Sequence, residues 1–221
     1  MTRHVLFDCF GTLLDTGSGS IRAVETILTH LGSPLEPKAF YAAWKTEKKR
    51  MMHTPPFRNE KDLFAESLGV LFKRYGIQAD PRVEVGPMID SLFATRPLFP
   101  DVWKTLDELD RRGIDYAIAS TTDTDSLLHY LKEAELSVPL VFTSEDLQVY
   151  KPDPQFYQTI LEQTGWQISE CLFVGDSPED DVLGPAALGM PAILLDRKDS
   201  HQDFPHPRIG SLTKLTEYLQ P

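Results

Sequence analysis

Three short apolar runs of this chain each lead into a side chain that can take part in chemistry. They place Asp8 after residues 5–7, Ser120 after residues 116–119 and Asp176 after residues 171–175. Such runs are typical of strands buried on both faces of a parallel sheet. Ligands and catalytic groups collect at the carboxyl ends of these strands, so the three side chains are expected to converge on one site.

Asp8 is the candidate nucleophile of that site. A carboxylate can attack phosphorus or an activated carbon and form a covalent intermediate that water later cleaves. Gly11 and Thr12 follow it closely. Glycine permits a sharp turn of the backbone, and the Thr12 hydroxyl could orient the Asp8 carboxylate by a hydrogen bond. A strand-end aspartate that only caps a turn, followed by an ordinary turn threonine, is the structural alternative.

A second carboxylate, Asp176, suggests a metal ion. Asp8 and Asp176 side by side would repel each other unless a cation lies between them, and a small set of hard oxygen ligands favours Mg²⁺. Three further acids, Glu179, Asp180 and Asp181, open the next predicted helix. Acids at a helix start are explained by the helix dipole alone. Asp181, or less readily Asp180, could also hold a metal-bound water.

Ser120, Thr121 and Lys151 are candidate anion-binding groups. The Ser120 hydroxyl and the backbone N–H groups that follow it, from Thr121 onward, could donate to an anion held at Asp8. Lys151 lies between Tyr150 and Pro152 in a stretch whose two prolines restrict the backbone. Pointing inward, it could balance the negative charge of the site. The alternatives are a serine that only ends a strand and a solvated loop lysine.

Residues 4–9 are expected to form the first strand. From residue 101 onward, apolar runs with the length of strands alternate with helical patterns, among them helices expected at 126–135 and 211–219. This alternation predicts an α/β fold, a doubly wound, Rossmann-like parallel sheet with right-handed crossovers. Between the first strand and this region the patterns are helical, with helices expected from Ser20 and at about 37–53, 60–75 and 81–95. The sequence therefore predicts a Rossmann-like core, residues 1–15 and 96–221, with an inserted α-helical cap, residues 16–95.

The composition narrows the classes of partner. The 221 residues carry a net charge of −11, and no basic run is longer than Lys48-Lys49-Arg50. Nucleic acid and anionic membranes are therefore not expected as main partners, and no apolar run approaches the ~20 residues of a membrane span. Cys9 and Cys171 fall in predicted buried strands, which suits a reducing cytoplasm. We expect a cytoplasmic monomer or homodimer that acts on a small anionic molecule.

Taken in order, these motifs resemble those of the haloacid dehalogenase-like (HAD) hydrolase superfamily, and the resemblance covers the whole chain. The matching stretches are Asp8-Cys9-Phe10-Gly11-Thr12-Leu13, Ser120 after its strand, Lys151-Pro152-Asp153-Pro154, and Gly175-Asp176 through Asp181. The predicted insertion resembles the helical cap of that superfamily. The resemblance implies an aspartyl-phosphate mechanism in which Asp8 attacks and Ser120 and Lys151 bind the phosphoryl group. It also implies Mg²⁺ held by Asp8, Asp176 and the backbone carbonyl of Phe10.

Phe10 stands where most members of that superfamily carry a second aspartate, which protonates the leaving group. An alkoxide leaves poorly without such an acid, which contributes about 10²–10⁴ in rate. A Mg²⁺-dependent phosphatase would therefore need a better leaving group or another proton donor. Asp15, Asp123 and His53 are candidate donors. Asp176 and Asp181 favour the phosphatase, because cleavage of a carbon–halogen bond needs no metal.

A 2-haloacid dehalogenase is the first alternative. Such enzymes resemble this chain at Asp8, Ser120 and Lys151, and they carry an aromatic residue, usually tyrosine, where Phe10 stands. They expel a halide, which needs no proton, so the missing acid would be natural. The pocket would then be lined by Phe10, Trp44 and Lys45.

Three departures place the dehalogenase second. Those enzymes typically have asparagine at the position of Thr121, arginine near Lys45, and no metal-ligating acid at Asp176. A binding module on the same fold, without catalysis, is a further alternative. The retained cluster of charges counts against it, because such a cluster destabilises a fold unless a metal is bound.

Overall fold

A computed structural model describes residues 2–219 of the chain. The strands are β1 (His4–Phe7), β2 (Asp115–Ser120), β3 (Leu140–Thr143), β4 (Cys171–Gly175), β5 (Ala192–Leu195) and β6 (Arg208–Ile209). They form one parallel sheet in the order β3-β2-β1-β4-β5-β6. Because β1 lies between β2 and β4, the chain winds from the middle of the sheet towards both edges. The predicted doubly wound, Rossmann-like α/β fold is confirmed.

The central strand β1 is buried on both faces of the sheet. Val5 and Phe7 pack into one hydrophobic cluster, and Leu6 packs into another. Successive side chains of a strand point to opposite faces, so the two clusters lie on opposite sides of the sheet. Since both faces are covered, the carboxyl edge of the sheet is the place left for a ligand.

Helices cover the sheet and also form a group of their own. They are α1 (Gly19–His30), α2 (Pro37–Met52), α3 (Glu60–Tyr75), α4 (Pro81–Glu84), α5 (Gly86–Ser91), α6 (Val102–Arg112), α7 (Thr124–Glu133), α8 (Ser144–Leu147), α9 (Pro154–Thr164) and α10 (Gly184–Ala187). Helices α1 to α5 make up what we call the helical segment (residues 19–91), and four of them, α1, α2, α3 and α5, share a hydrophobic cluster that includes Trp44, Leu68 and Met88. No helix of residues 2–219 is long and apolar enough to cross a membrane.

Two element boundaries in the first half differ from the sequence prediction. The first strand ends at Phe7, because the chain turns back after Asp8 and the N–H of Leu13 donates to the carbonyl of Cys9. The helix predicted at 81–95 is instead the two short helices α4 and α5. Pro87 lacks the N–H that a continuous helix needs at this point.

The helix predicted after Asp176 begins as a wide turn. Residues 178–183 form a π-helical turn that leads into α10. The hydroxyl of Tyr157 donates to the backbone carbonyl of Asp180 in this turn. Pro185 contributes no N–H to the ladder. Turns of this kind often occur at functional sites, and this one contains Asp181.

The remaining differences lie in the second half of the chain. Helix α7 begins at Thr124 rather than Ser126, and the helix predicted at 211–219 is a 3₁₀ helix, Leu212–Glu217. Nothing in the sequence indicates β6, because two residues are too few to show an alternating pattern.

Gly184 provides a test of the packing below this turn. A Cβ at Gly184 would lie 2.9 Å from Cβ of Pro152 and 3.0 Å from Cζ of Tyr157. We expect Gly184→Ala to lower the free energy of unfolding by about 1–3 kcal/mol through overpacking, as measured by urea denaturation. Gly86→Ala is the matched control, because a Cβ there meets nothing within 4 Å and alanine favours a helix. Equal losses in the two variants would contradict the packing described for Gly184.

Candidate active site

The carboxyl ends of β2, β1 and β4 lie side by side and bring three predicted site residues together. Ser120 is the last residue of β2, while Asp8 and Asp176 directly follow β1 and β4. They line a cleft of about 480 Å³ whose other walls come from the helical segment. The other predicted site residues in its lining are Phe10, Thr121, Lys151 and Asp181, whereas Thr12 is not among its lining residues.

Lys151 is the positive centre of this cleft. Its Nζ lies 2.9 Å from Oδ1 of Asp8 and 2.6 Å from Oδ1 of Asp181. Only 2% of the residue is exposed. The side chain therefore points into the site and not into solvent, which is unusual for a loop lysine and requires paired carboxylates.

Three carboxylates surround this one ammonium group. Asp8, Asp176 and Asp181 each place an oxygen within 4.8 Å of the others. Two glycines permit the close approach: a Cβ on Gly11 would overlap the carboxylate of Asp176, and a Cβ on Gly175 would overlap that of Asp181. Because one lysine faces three acids, the centre keeps an excess of negative charge that a bound cation would offset.

Asp181 is held at both of its carboxylate oxygens. Oδ1 accepts from Lys151 at 2.6 Å, and Oδ2 accepts from the backbone N–H of Ser177 at 2.9 Å. Asp180 also lines the cleft, but its Oδ1 is buried without a hydrogen-bond partner. The geometry groups Asp181 with Asp8 and Asp176.

Burial and mutual repulsion shift the titration of these groups. Loss of hydration, together with repulsion from Asp181 and Asp176, raises the pKa of Asp8 to about 8, although Lys151 opposes the shift. Asp176 is open to the cleft, yet partial loss of hydration and repulsion from Asp181 raise its pKa to about 6. Burial alone would lower the pKa of Lys151, but the carboxylates of Asp181 and Asp8 raise it above its ordinary value. Ionised Asp8 therefore needs more positive charge than Lys151 supplies.

Two hydroxyl groups near the site have no hydrogen-bond partner within residues 2–219. They are Oγ of Ser120 and Oγ1 of Thr12, and both are buried. The hydrogen bond expected from Thr12 to Asp8 is therefore not formed. The Thr12 backbone carbonyl accepts from Arg197 at 2.9 Å, which fixes the turn instead. Ser120 lines the cleft, so its hydroxyl is available to a ligand.

Phe10 has aromatic and cationic neighbours. Its ring meets the edge of Tyr130 with the ring centroids 5.4 Å apart, and Cζ of Arg96 lies 5.8 Å from its centroid. Arg96 donates to the Tyr130 hydroxyl at 2.9 Å and to the backbone carbonyls of Thr16 and Ser91. Phe10 therefore packs beside the two stretches of chain that connect the sheet to the helical segment, one at Thr16 and the other between Ser91 and Arg96. The sequence pattern does not single out Arg96 or Tyr130.

The helical segment contributes charged side chains to the cleft. Lys48 lies 2.6 Å from Oε1 of Glu60, and Lys49 pairs with Glu179 from the segment that follows β4. Sequence reasoning missed Glu60, because an acid in the first turn of a helix is expected for the helix dipole alone. Phe10, Trp44 and Lys45, the residues expected to line a dehalogenase pocket, also line this cleft.

Of the three candidate proton donors, one lies in the cleft. His53 lines it, whereas Asp15 and Asp123 do not. The Asp15 carboxylate accepts from the N–H of Gly17 at 3.0 Å. The Asp123 carboxylate is occupied by N–H groups of the helical segment.

Asp176→Asn should reveal the repulsion within the carboxylate cluster. In EDTA, loss of one negative charge should raise the melting temperature, by about 2–4 °C for ~1 kcal/mol of relieved repulsion. In Mg²⁺, the same variant should lose most of the metal-induced rise in melting temperature that we expect of the unaltered protein. Thermal unfolding across a Mg²⁺ titration measures both effects.

Glu179→Gln is the matched control. Glu179 lies in the same segment but is an exposed acid paired with Lys49, so both quantities should stay near those of the unaltered protein. An Asp176→Asn protein with the full Mg²⁺ response would contradict a metal site at this cluster.

Known proteins are similar to this chain in sequence and in fold. The family model described as haloacid dehalogenase-like hydrolase matches residues 2–189. The chain is 36% identical over 205 residues to the ribulose-1,5-bisphosphate 5-phosphatase of Halopiger xanaduensis, covering 89% of this chain and 85% of that protein. It is 25% identical over 229 residues to the (S)-2-haloacid dehalogenase 4A of Burkholderia cepacia, covering 98% and 94%.

A solved structure gives the same fold. The HAD-hydrolase YfnB from Bacillus subtilis, bound to magnesium, matches with a TM-score of 0.79 and 20% identity over 99% of this chain and 98% of that one. The family match spans most of the chain and includes Asp8, Ser120, Lys151 and Asp176. The named relatives are both hydrolases, one a phosphatase and one a dehalogenase. The chain belongs to the haloacid dehalogenase-like hydrolase family and is an enzyme of the hydrolase class.

Proposed function

We propose that this hydrolase is a Mg²⁺-dependent phosphatase that acts through an aspartyl-phosphate on Asp8. The observation that supports this best is the carboxylate cluster, in which Asp8, Asp176 and Asp181 approach within 4.8 Å of one another. Lys151 is their one ion-pair partner within residues 2–219. A reaction without metal has no need of a third acid at Asp176, whereas a divalent cation requires several.

The residues present fit Mg²⁺. Asp8 and Asp176 would supply carboxylate oxygens, and the backbone carbonyl of Phe10 would supply a further oxygen. Asp181 is held by Lys151 and Ser177, so it would act through a bound water. When bound, Mg²⁺ would offset the charge of the carboxylates and of the phosphoryl group.

In the proposed reaction, a carboxylate oxygen of Asp8 attacks phosphorus and the bond from phosphorus to the leaving oxygen breaks. The Ser120 hydroxyl, the Thr121 backbone N–H and the Lys151 ammonium group donate to the phosphoryl oxygens. Lys151 already binds Asp8 Oδ1 at 2.9 Å, so it orients the carboxylate before the attack. Water then cleaves the aspartyl-phosphate, restores Asp8 and releases phosphate.

The substrate we propose is a small, anionic phosphorylated metabolite with a leaving group that tolerates the missing acid at Phe10. Lys45 lines the cleft without an ion-pair partner within residues 2–219, so it is available to a further negative group of the substrate. A phosphoanhydride or an ester of an acidic alcohol suits a site in which Phe10 cannot donate a proton.

We further propose that the helical segment is the cap expected at residues 16–95, with residues 1–15 and 96–221 as the core. Its own hydrophobic cluster and its place across the cleft from Asp8 support this division. The cap would close over the site and exclude water. Cys9 and Cys171 are both buried and unpaired, which suits the proposed cytoplasmic location.

Dehalogenation is the second candidate, and Phe10 is the observation that favours it. A halide leaves without a proton, and the aromatic ring packed beside Tyr130 and Arg96 offers an apolar wall for a small haloacid. One named relative is a dehalogenase. Asp176 then has no role, which is why we place this function second.

The two functions separate in one set of assays. Purified protein is tested on p-nitrophenyl phosphate, other phosphate esters and 2-chloropropionate, each with Mg²⁺ and with EDTA. We expect phosphate release that requires Mg²⁺ and falls by about a thousandfold or more in Asp8→Asn. Asp115→Asn is the control, because its carboxylate is 71% exposed at the opposite end of β2. Chloride release that persists in EDTA would overturn the proposal, and metal binding without any turnover would favour a binding module.

Phe10→Asp tests the missing acid. A carboxyl at this position could protonate a poor leaving group, so the rate for an alkyl phosphate relative to that for p-nitrophenyl phosphate should rise by about tenfold or more. Phe10→Leu removes the ring without adding an acid and should leave the ratio near its original value. Equal changes for the two substrates in Phe10→Asp would show that protonation of the leaving group is solved elsewhere.

A further inference from the structure

Asp123 stands at the N-cap of α7 but does not cap it. Aspartate at this position ordinarily accepts a hydrogen bond from the first turn of its own helix, yet the Asp123 side chain makes no such bond. The N–H of Thr124 is bound by Oε2 of Glu145 at 2.8 Å instead, and the N–H of Ser126 by Oδ1 of Asp125 at 2.7 Å. Helix α7 is thus capped without Asp123.

The Asp123 carboxylate caps another helix, the first turn of α3 in the helical segment. Oδ1 accepts from the backbone N–H of Glu60 at 2.6 Å, and Oδ2 accepts from that of Lys61 at 3.2 Å. Asn59 already caps α3 through the N–H of Asp62 at 2.9 Å. Asp123 binds the two N–H groups that this local cap leaves unpaired, across 63 and 62 residues of sequence.

This contact is buried. Asp123 is 1% exposed, and no lysine, arginine or histidine of residues 2–219 forms an ion pair with it. Burial raises the pKa of Asp123 to about 6, the N–H of Glu60 opposes that shift, and the carboxylates of Glu60 and Glu145 add to it. The carboxylate is therefore ionised near neutral pH, and the N-terminal end of α3 is its main electrostatic partner.

The same helix end reaches into the cleft. The Glu60 side chain accepts from the Thr122 hydroxyl at 3.1 Å and pairs with Lys48 at 2.6 Å. Thr122 and Asp123 directly follow Ser120 and Thr121, the residues at the floor of the cleft. The first turn of α3 is therefore bound to the residues that follow β2. Two backbone N–H groups of α3 donate to the Asp123 carboxylate, and the Thr122 hydroxyl donates to the Glu60 side chain.

We propose that Asp123 is a positioning residue that holds the helical segment closed over the cleft. Closing places the N-terminal end of α3 on Asp123, and it sets Glu60 and Lys48 beside the Ser120–Thr122 loop. Opening would return the carboxylate and both N–H groups to water. This role does not depend on whether the cleft accepts a phosphate ester or a haloacid.

The test measures the separation of the two parts directly. Spin labels are placed at Val83→Cys in α4 and Leu128→Cys in α7, residues that are 68% and 50% exposed, while the two native cysteines are buried. Pulsed electron resonance then gives the distribution of distances between the labels. We expect a short-distance population in the labelled parent, and a ratio of short to long distances that falls by about tenfold or more in Asp123→Ala, since two hydrogen bonds to a charged group are lost.

Asp125→Ala is the matched control. Asp125 pairs with Lys61 at the same helix end but at the surface, so its loss should change the ratio by less than about threefold. Asp123→Asn keeps one carbonyl acceptor and should fall between Asp123→Ala and the parent, and it decides the outcome if Asp123→Ala does not fold. An unchanged distribution in folded Asp123→Ala, or an equal effect of Asp125→Ala, would overturn the proposal.

Kinetics supply a second readout. With p-nitrophenyl phosphate and Mg²⁺, weaker closure should raise KM in Asp123→Asn by more than it lowers kcat, because the groups at Asp8 remain in place. If p-nitrophenyl phosphate is not hydrolysed by the parent, the proposed phosphatase fails while the distance measurement still decides the role of Asp123. A fall in kcat alone, with an unchanged distance distribution, would contradict the positioning role.

Discussion

The interaction on which the site depends is the contact of one buried ammonium group with the carboxylates around it. Lys151 binds Asp8 and Asp181 while only 2% of the residue is exposed. A buried charge is tolerated only when it is paired, so Lys151 needs these acids. The acids in turn outnumber it, because Asp176 lies within 4.8 Å of both. This unequal balance is why we propose a bound cation at the site. Together with burial, which has the larger effect, it raises the pKa of Asp8.

The fold supplies this arrangement through the order of its strands. Because β1 lies between β2 and β4, three separate stretches of chain end at the same edge of the sheet. Two glycines then allow the carboxylates to approach, since side chains at Gly11 and Gly175 would occupy the space of Asp176 and Asp181. The helical segment completes the cleft from the other side. In the closure that we propose, its attachment at Asp123 links the closing of the site to the residues that follow Ser120.

The sequence alone was enough to locate the site residues that lie at the ends of strands. Asp8, Ser120 and Asp176 could be located because each ends an apolar run, and parallel strands bring their carboxyl ends together. Lys151 could be proposed from its prolines, although its pairing with Asp181 could not. The Tyr157 hydroxyl binds the π-helical turn that contains Asp181, through a contact between segments that no local pattern contains.

Contacts between the two parts of the chain were beyond sequence reasoning for the same reason. Asp123 has the sequence position of an N-cap, and its bonds to Glu60 and Lys61 appear only in three dimensions. The expected hydrogen bond from Thr12 to Asp8 is absent, and Arg197 holds the backbone carbonyl of Thr12 from a distant part of the sequence. The sequence showed that Phe10 replaces the second aspartate of the superfamily motif. Its packing against Tyr130 and Arg96 depends on the path of the chain between the sheet and the helical segment.

The most direct test of the central claim is the chemical identity of the group that becomes attached to Asp8. Enzyme is mixed with p-nitrophenyl phosphate and Mg²⁺, or with 2-chloropropionate and EDTA, then quenched in acid, and the peptide that contains Asp8 is analysed by mass spectrometry. A metal-dependent phosphatase with Asp8 as its nucleophile should carry a phosphoryl group on Asp8 in the first mixture and yield an unmodified peptide in the second. A carboxyalkyl ester on Asp8 in the second mixture, with no phosphoryl group in the first, would contradict that mechanism.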